Sequence, residues 1–291
     1  MFPIRDDIPS RETPYVNYAL IAACVVAFLM QISRPDGEPT LVEEYGMIPA
    51  RVLHPNQAVE IPDVQTPKDG RGQQGKPEII MREAAPSAVP AWMTLLTCIF
   101  LHGGWMHLLG NIWFLYIFGD NVEDCYGHLG YLVFYLACGV AASGTHLLLN
   151  ANSAIPTIGA SGAIAGVMGA YFLLYPHSRV LAVLPLFVIF YTLTVPAPVF
   201  LGIWFLIQLV QSVGSINNVE AAGVAFWAHV GGFVAGLAAT YGLKASSMLR
   251  QCVSERLPES TGRVSFPTSR GRRSSGQADP FADDDFFSNR R

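Results

Sequence analysis

The chain has 291 residues, 51% of them hydrophobic and 14% charged, with a formal net charge of −4. Soluble domains carry about 25% charged residues, so composition argues against a wholly soluble protein. The net charge averages a nearly neutral middle with charged ends, and nothing in it offers nucleic acid a basic surface. One basic residue, Arg179, lies between Trp92 and Gly242, while eight Lys/Arg precede that stretch and nine follow from Lys244 onward. A stretch so long and so poor in charge reads as a multi-helix membrane core.

Residues 1–14 are polar and contain three prolines. The apolar run from Tyr15 to Ile32 has no small-residue cleavage pattern and reads as a retained first span. Residues 34–91 hold nine prolines and mixed charge, and form a long polar first loop. Within it, 41–53 is apolar enough to lie against the membrane, and 55–90 reads as a mobile insertion. Five more spans are expected near 104–118, 130–149, 158–175, 196–213 and 226–243. Asp120, Glu123 and Asp124 read as a solvated turn between the second and third. Residues 181–194 are apolar too, but Pro185, Pro196 and Pro198 interrupt them. They form a seventh pass or a hydrophobic loop, and the loop is favoured because a pass needs a very tight turn at Val195-Pro196.

Residues 244–291 are too polar to fold alone and read as a disordered tail. Cys24, Cys98, Cys125, Cys138 and Cys252 are scattered, odd in number and without a CxxC pair. They read as buried small hydrophobes, not as disulfides or zinc ligands. The fold class expected is therefore an all-α polytopic membrane protein, with a six-helix domain over 15–243. The connections near 150–157 and 214–225 lack Lys and Arg, whereas the tail has nine. That bias places the tail in the cytoplasm; six spans put the N-terminus there too and the first loop outside.

Ser161 and His229 are polar residues inside apolar stretches, an expensive placement that marks function by default. Together they supply a weak nucleophile and a base to take its proton. Ser161 falls about three residues into the fourth span, His229 about three into the sixth and His107 about three into the second, with Asn111 one turn deeper. At about 1.5 Å per residue, all four share one layer below the outer surface. Gly162, Gly166 and Ala170 repeat every four residues, as do Ala228, Gly232 and Gly236, and such faces let helices pack closely. His107 and Asn111, four apart, face the same way. Both can donate to a developing oxyanion, as can the unpaired backbone N–H of Ser161. No Asp or Glu lies in these spans, so a dyad is expected, and the residue that orients His229 is not identified. With no HExxH motif, neither metal nor cofactor is expected. His102 is read as a structural hydrogen-bonding residue of the loop.

Three segments carry a resemblance: Leu101-His102-Gly103-Gly104-Trp105-Met106-His107-Leu108-Leu109-Gly110-Asn111, then Gly159-Ala160-Ser161-Gly162, then Ala228-His229-Val230-Gly231-Gly232 continuing to Gly236. In this order the chain resembles rhomboid intramembrane serine proteases. The resemblance implies a six-helix core, Ser161 as nucleophile, His229 as general base, and His107 and Asn111 at the oxyanion. It also implies substrates that are single-span transmembrane proteins in the lipid bilayer, entering beside the fifth span. Small residues are expected beside the cut, because the glycine-rich site leaves little room. Some family members carry an aromatic residue four positions after the serine, where this chain has Ala165. The alternative reading is a non-proteolytic rhomboid-like binder of transmembrane helices. A prokaryotic inner membrane is the expected location.

Overall fold

The computed structural model describes residues 1–35, 38–65, 78–186, 189–215, 225–250 and 252. In chain order the elements are β1 (Phe2–Asp6), α1 (Tyr15–Ile32), α2 (Leu41–Tyr45), α3 (Pro49–Leu53), β2 (Glu60–Gln65), β3 (Glu78–Glu83) and α4 (Thr94–Thr97). They continue as α5 (Trp105–Tyr126), α6 (His128–Leu149), α7 (Ser161–Leu174), β4 (Arg179–Leu186), β5 (Ile189–Pro196), α8 (Ala197–Ser215) and α9 (Phe226–Ala245). Six helices, α1 and α5 to α9, overlap the six stretches expected as spans. Among the described residues, α1 and α6 are long and apolar enough to cross a membrane, and α5 joins them if its bent partner segment Ala91–Phe100 is counted with it. α7 and α8 are shorter apolar helices.

The all-α expectation is corrected by two small sheets. Among the described residues of 181–194 there is no helical pass: where a hydrophobic loop was favoured, β4 and β5 pair antiparallel from Arg179↔Pro196 to Leu186↔Ile189. The N-terminal segment completes this sheet as β1, with Phe2 opposite Val183 and Asp6 opposite Val180. Alternating positions explain it: Val180 and Ala182 are fully buried, a period of two that marks a half-buried strand. Asp6 fastens β1 to the bundle, accepting from Asn121 Nδ2 at 2.8 Å and from the Tyr171 hydroxyl at 2.5 Å.

α7 is the central helix. Every residue from Gly162 to Tyr171 is buried, as a helix apolar on all sides must be. It packs against α5, α6, α8 and most extensively α9. Small residues allow that approach: a Cβ on Gly232 would collide with the Gly162 carbonyl, and one on Gly236 with the Gly166 backbone. α5 and α6 are joined through Gly127 alone, whose φ of 69° lies in the left-handed region that glycine enters without steric cost.

The two ends of the described chain meet at one end of the bundle. Glu123 is buried, not part of a solvated turn; its carboxylate accepts the N–H groups of Val16 and Asn17 at 3.0 and 2.8 Å. An acidic group at a helix start satisfies orphan donors and the helix dipole together. Asp124 accepts the Arg11 and Glu12 N–H groups, and Glu12 pairs with Arg250 at 3.1 Å. The Arg250 N–H donates to the Cys125 carbonyl, and Cys125 and Cys252 are joined by a disulfide. This corrects the reading of all five cysteines as free; Cys24, Cys98 and Cys138 are free and buried. The disordered-tail expectation lies outside the described residues beyond 252.

At the opposite end the first loop packs on the segment that leads into α7. Met47 and Thr157 form a β-bridge, and Ala50 N–H donates to the Ser153 carbonyl. The insertion read as mobile contains the β2–β3 hairpin, paired from Glu60↔Glu83 to Gln65↔Glu78; residues 66–77 lie outside the described set. Arg82 ties it down, reaching buried Glu43 at 2.5 Å and Asp63 at 2.9 Å. The Arg82 hydrogen bond holds the Glu43 carboxyl below the usual carboxylate range. A carboxyl depressed by folding contributes stability at neutral pH that is lost as pH falls through its folded-state value. Arg82→Ala should therefore loosen the hairpin by about 1–2 kcal/mol, discounted for the partial exposure of Arg82. Hydrogen exchange across 78–85 should rise about tenfold or more at pH 7, and the difference from wild type should shrink under acid conditions that protonate Glu43. Equal protection in both proteins at pH 7 would count against this pairing.

Candidate active site

Three helices begin at the loop-covered end. Ser161 is the first residue of α7, His229 lies in the first turn of α9 and His107 in the first turn of α5. The close α7–α9 contact brings Ser161 Oγ to 2.7 Å from His229 Nε2. The serine hydroxyl can thus donate to an imidazole nitrogen positioned to take its proton. The other ring nitrogen, Nδ1, lies 2.6 Å from Gln208 Oε1 on α8. Trp204, one turn earlier on α8, sets its ring 5.9 Å from the imidazole, and Phe226 meets it edge-on at 6.3 Å.

His107 Nδ1 accepts the Gly103 N–H at 3.2 Å, which leaves the ring proton on Nε2. That Nε2 faces Gly159 so closely that a Cβ there would lie 2.7 Å away, and 3.7 Å from Ser161 Oγ. Gly159 also has φ 126°, so both backbone and space require glycine at this position. One turn along α5, Asn111 is buried, and its Nδ2 has no protein partner. A buried amide with a free donor is costly unless something else fills it. His107, Asn111, Ser161 and His229 all line one cavity of about 280 Å³. Its apolar wall comes from Met106, Phe114, Ile164, Met168, Trp204 and Phe226.

Gly162, Gly166, Gly232 and Gly236 line the helix contact behind the site, not the cavity wall. His102 does not line this cavity, although its ring meets His107 edge-on at 5.2 Å; its backbone exchanges two hydrogen bonds with the Gln31 side chain of α1, at 2.9 and 3.0 Å. His177 is exposed beyond the far end of α7. Among the described residues no group of His, Cys, Asp and Glu is arranged to hold a metal ion. Sequence reasoning missed Gln208. The available signal was a polar amide one turn from Trp204 in an apolar helix, a placement as costly as that of Ser161.

A model of the Rhomboid domain matches residues 90–246, just over half of the chain. Similar proteins include the Rhomboid-like protein 11, chloroplastic, of Arabidopsis thaliana, 42% identical over 78 residues, which are 27% of this chain and 28% of the relative. The Rhomboid protease GluP of Bacillus subtilis is 32% identical over 155 residues, 52% of this chain and 26% of its own length. The Rhomboid-like protease 5 of Toxoplasma gondii is 34% identical over 175 residues, 56% of this chain and 18% of its own. The chain thus spans roughly a fifth to a quarter of these relatives' lengths. Relatives in a plant, a bacterium and a parasite lend no support to the prokaryotic inner membrane expected from sequence.

Proposed function

The chain belongs to the rhomboid family, a helical polytopic membrane fold, and from that premise we propose that it is an intramembrane serine endopeptidase acting through Ser161 and His229. The observation that carries this reading is the 2.7 Å contact between Ser161 Oγ and His229 Nε2 at the edge of the cavity. Ser161 Oγ attacks a substrate carbonyl while His229 Nε2 takes its proton. The carbonyl oxygen, now negative, is met by the Ser161 backbone N–H, His107 Nε2–H and Asn111 Nδ2. His229 then gives the proton to the departing amine, and water, activated by the same nitrogen, releases the acyl group from the serine. Substrates are single-span transmembrane proteins, and no metal or cofactor takes part.

We place the six long helices across the bilayer. Both described ends share one side, through Glu12, Asp124 and Arg250, and nine Lys/Arg from Lys244 onward favour the cytoplasm for it. The disulfide at that end pulls the other way, since cytosolic thiols are kept reduced. A non-proteolytic binder is the alternative, and it would have no use for a serine hydroxyl aimed at a buried imidazole. A serine-reactive fluorophosphonate separates the two: covalent labelling of Ser161 supports the enzyme, and an unlabelled folded protein sinks it.

His107→Ala and Asn111→Ala each remove one donor and leave the Ser161 N–H in place. Each should slow single-turnover cleavage of a model transmembrane substrate by about 10²–10³-fold, the cost of one oxyanion donor. Wild-type rates in both variants would leave the dyad standing and remove these two residues from the oxyanion.

A further inference from the structure

We propose that Gln208 is the positioning residue of the catalytic base, holding His229 in the tautomer and orientation that present a lone pair to Ser161. The inference rests on the proteolytic reading above and names what that reading lacks. A base that accepts the serine proton at Nε2 must carry its own on Nδ1. Nδ1 lies 2.6 Å from Gln208 Oε1, so the amide presents its oxygen and accepts. The rotamer is held from a second direction, because Trp204 sits beside the same ring from the same helix. Spacing of four residues puts Trp204 and Gln208 on one face of α8.

The uncharged acceptor suits its surroundings. α8 contains no titratable residue, and a carboxylate there would be a buried charge with no cation to pair it until the histidine is protonated. An amide fixes the tautomer without that cost. It also accepts from the imidazolium that forms during attack, so the contact strengthens as charge develops. Ala165, where an aromatic ring would have stacked on the histidine, leaves no such support from α7. Gln208 and Trp204 supply it from α8.

The test compares Gln208→Met, which keeps length and removes the acceptor, with Gln208→Glu, which keeps it. Wild-type protein must first be labelled at Ser161 by a fluorophosphonate; if it is not, the proteolytic reading fails and not this one alone. Gln208→Met should label about 10–100-fold more slowly, the effect of one lost hydrogen bond to a charge-bearing group. On a single-span model substrate the loss should fall on kcat, with KM within about twofold. Gln208→Glu should restore most of the rate and move the acidic limb of the pH–rate profile to higher pH. Among the described residues, the titratable groups whose charge acts on the imidazole are His107 from α5 and His146 from α6, both present in every variant. Labelling of Gln208→Met at the wild-type rate overturns the assignment. Should that variant fail to fold, an unshifted acidic limb in Gln208→Glu overturns it equally.

Discussion

Ser161→Ala and His229→Ala should each reduce cleavage of a transmembrane substrate to background, a loss on the order of 10⁴-fold or more. Nucleophile and base act as one unit, so the double variant should be no worse than either single one. The reason is geometric. Among the described residues Ser161 Oγ has one base within reach, at 2.7 Å, and without His229 the hydroxyl is a poor nucleophile at neutral pH. Ser161→Ala removes one oxygen at the cavity edge and should leave the fold intact, whereas His229→Ala removes a buried ring packed by Gln208, Trp204 and Phe226, so its folding is checked before its activity. Single-turnover cleavage by purified, folded variants is the measurement. Wild-type activity in Ser161→Ala would end the serine mechanism outright.

Gly236→Val should slow the protein about a hundredfold without touching the site. Gly236 lies almost two turns below His229, where its backbone faces Gly166 with no room for a Cβ. The obstructing atoms are backbone, which cannot rotate away, so α9 must move off α7. A displacement of about 1 Å at a catalytic pair costs on the order of 10²-fold, and overpacking costs about 1–3 kcal/mol of stability besides. Gly242→Val on the same helix, where nothing lies within 4 Å, is the matched control and should keep wild-type labelling. Full labelling of Gly236→Val would mean that the helix contact does not set the dyad distance.

These two contrasts indicate what was legible in the sequence. Ser161, His229, His107 and Asn111 stood out because each is a polar group in an apolar stretch at the same depth, and the glycine repeats announced the close helix contact. The four residues do line one cavity. Gln208 carried the same kind of signal, a polar amide in an apolar helix, but its partner lies 21 residues away on another helix and no local spacing points from one to the other. The β4–β5 hairpin was unreadable for a similar reason: its third strand is the N-terminus, about 175 residues upstream by pairings such as Asp6↔Val180. Prolines and apolar residues in 181–194 fitted loop and strand alike. Cys125 and Cys252, 127 residues apart, offered no motif, and the burial of Glu123 depended on α1 arriving above it.

The division of the dyad between α7 and α9 also sets an order of events during synthesis. Ser161 emerges 68 residues before His229, a delay of roughly 3–14 s at ordinary elongation rates. The contacts from Glu12 to Arg250, 238 residues apart, close only after α9 has been made. On the proposed mechanism, a nascent or truncated chain inserted as far as α8 carries the nucleophile, the oxyanion donors and Gln208, yet has no base. Proteolytic competence therefore arrives with the last helix, and incomplete chains sit among other membrane proteins as inert neighbours.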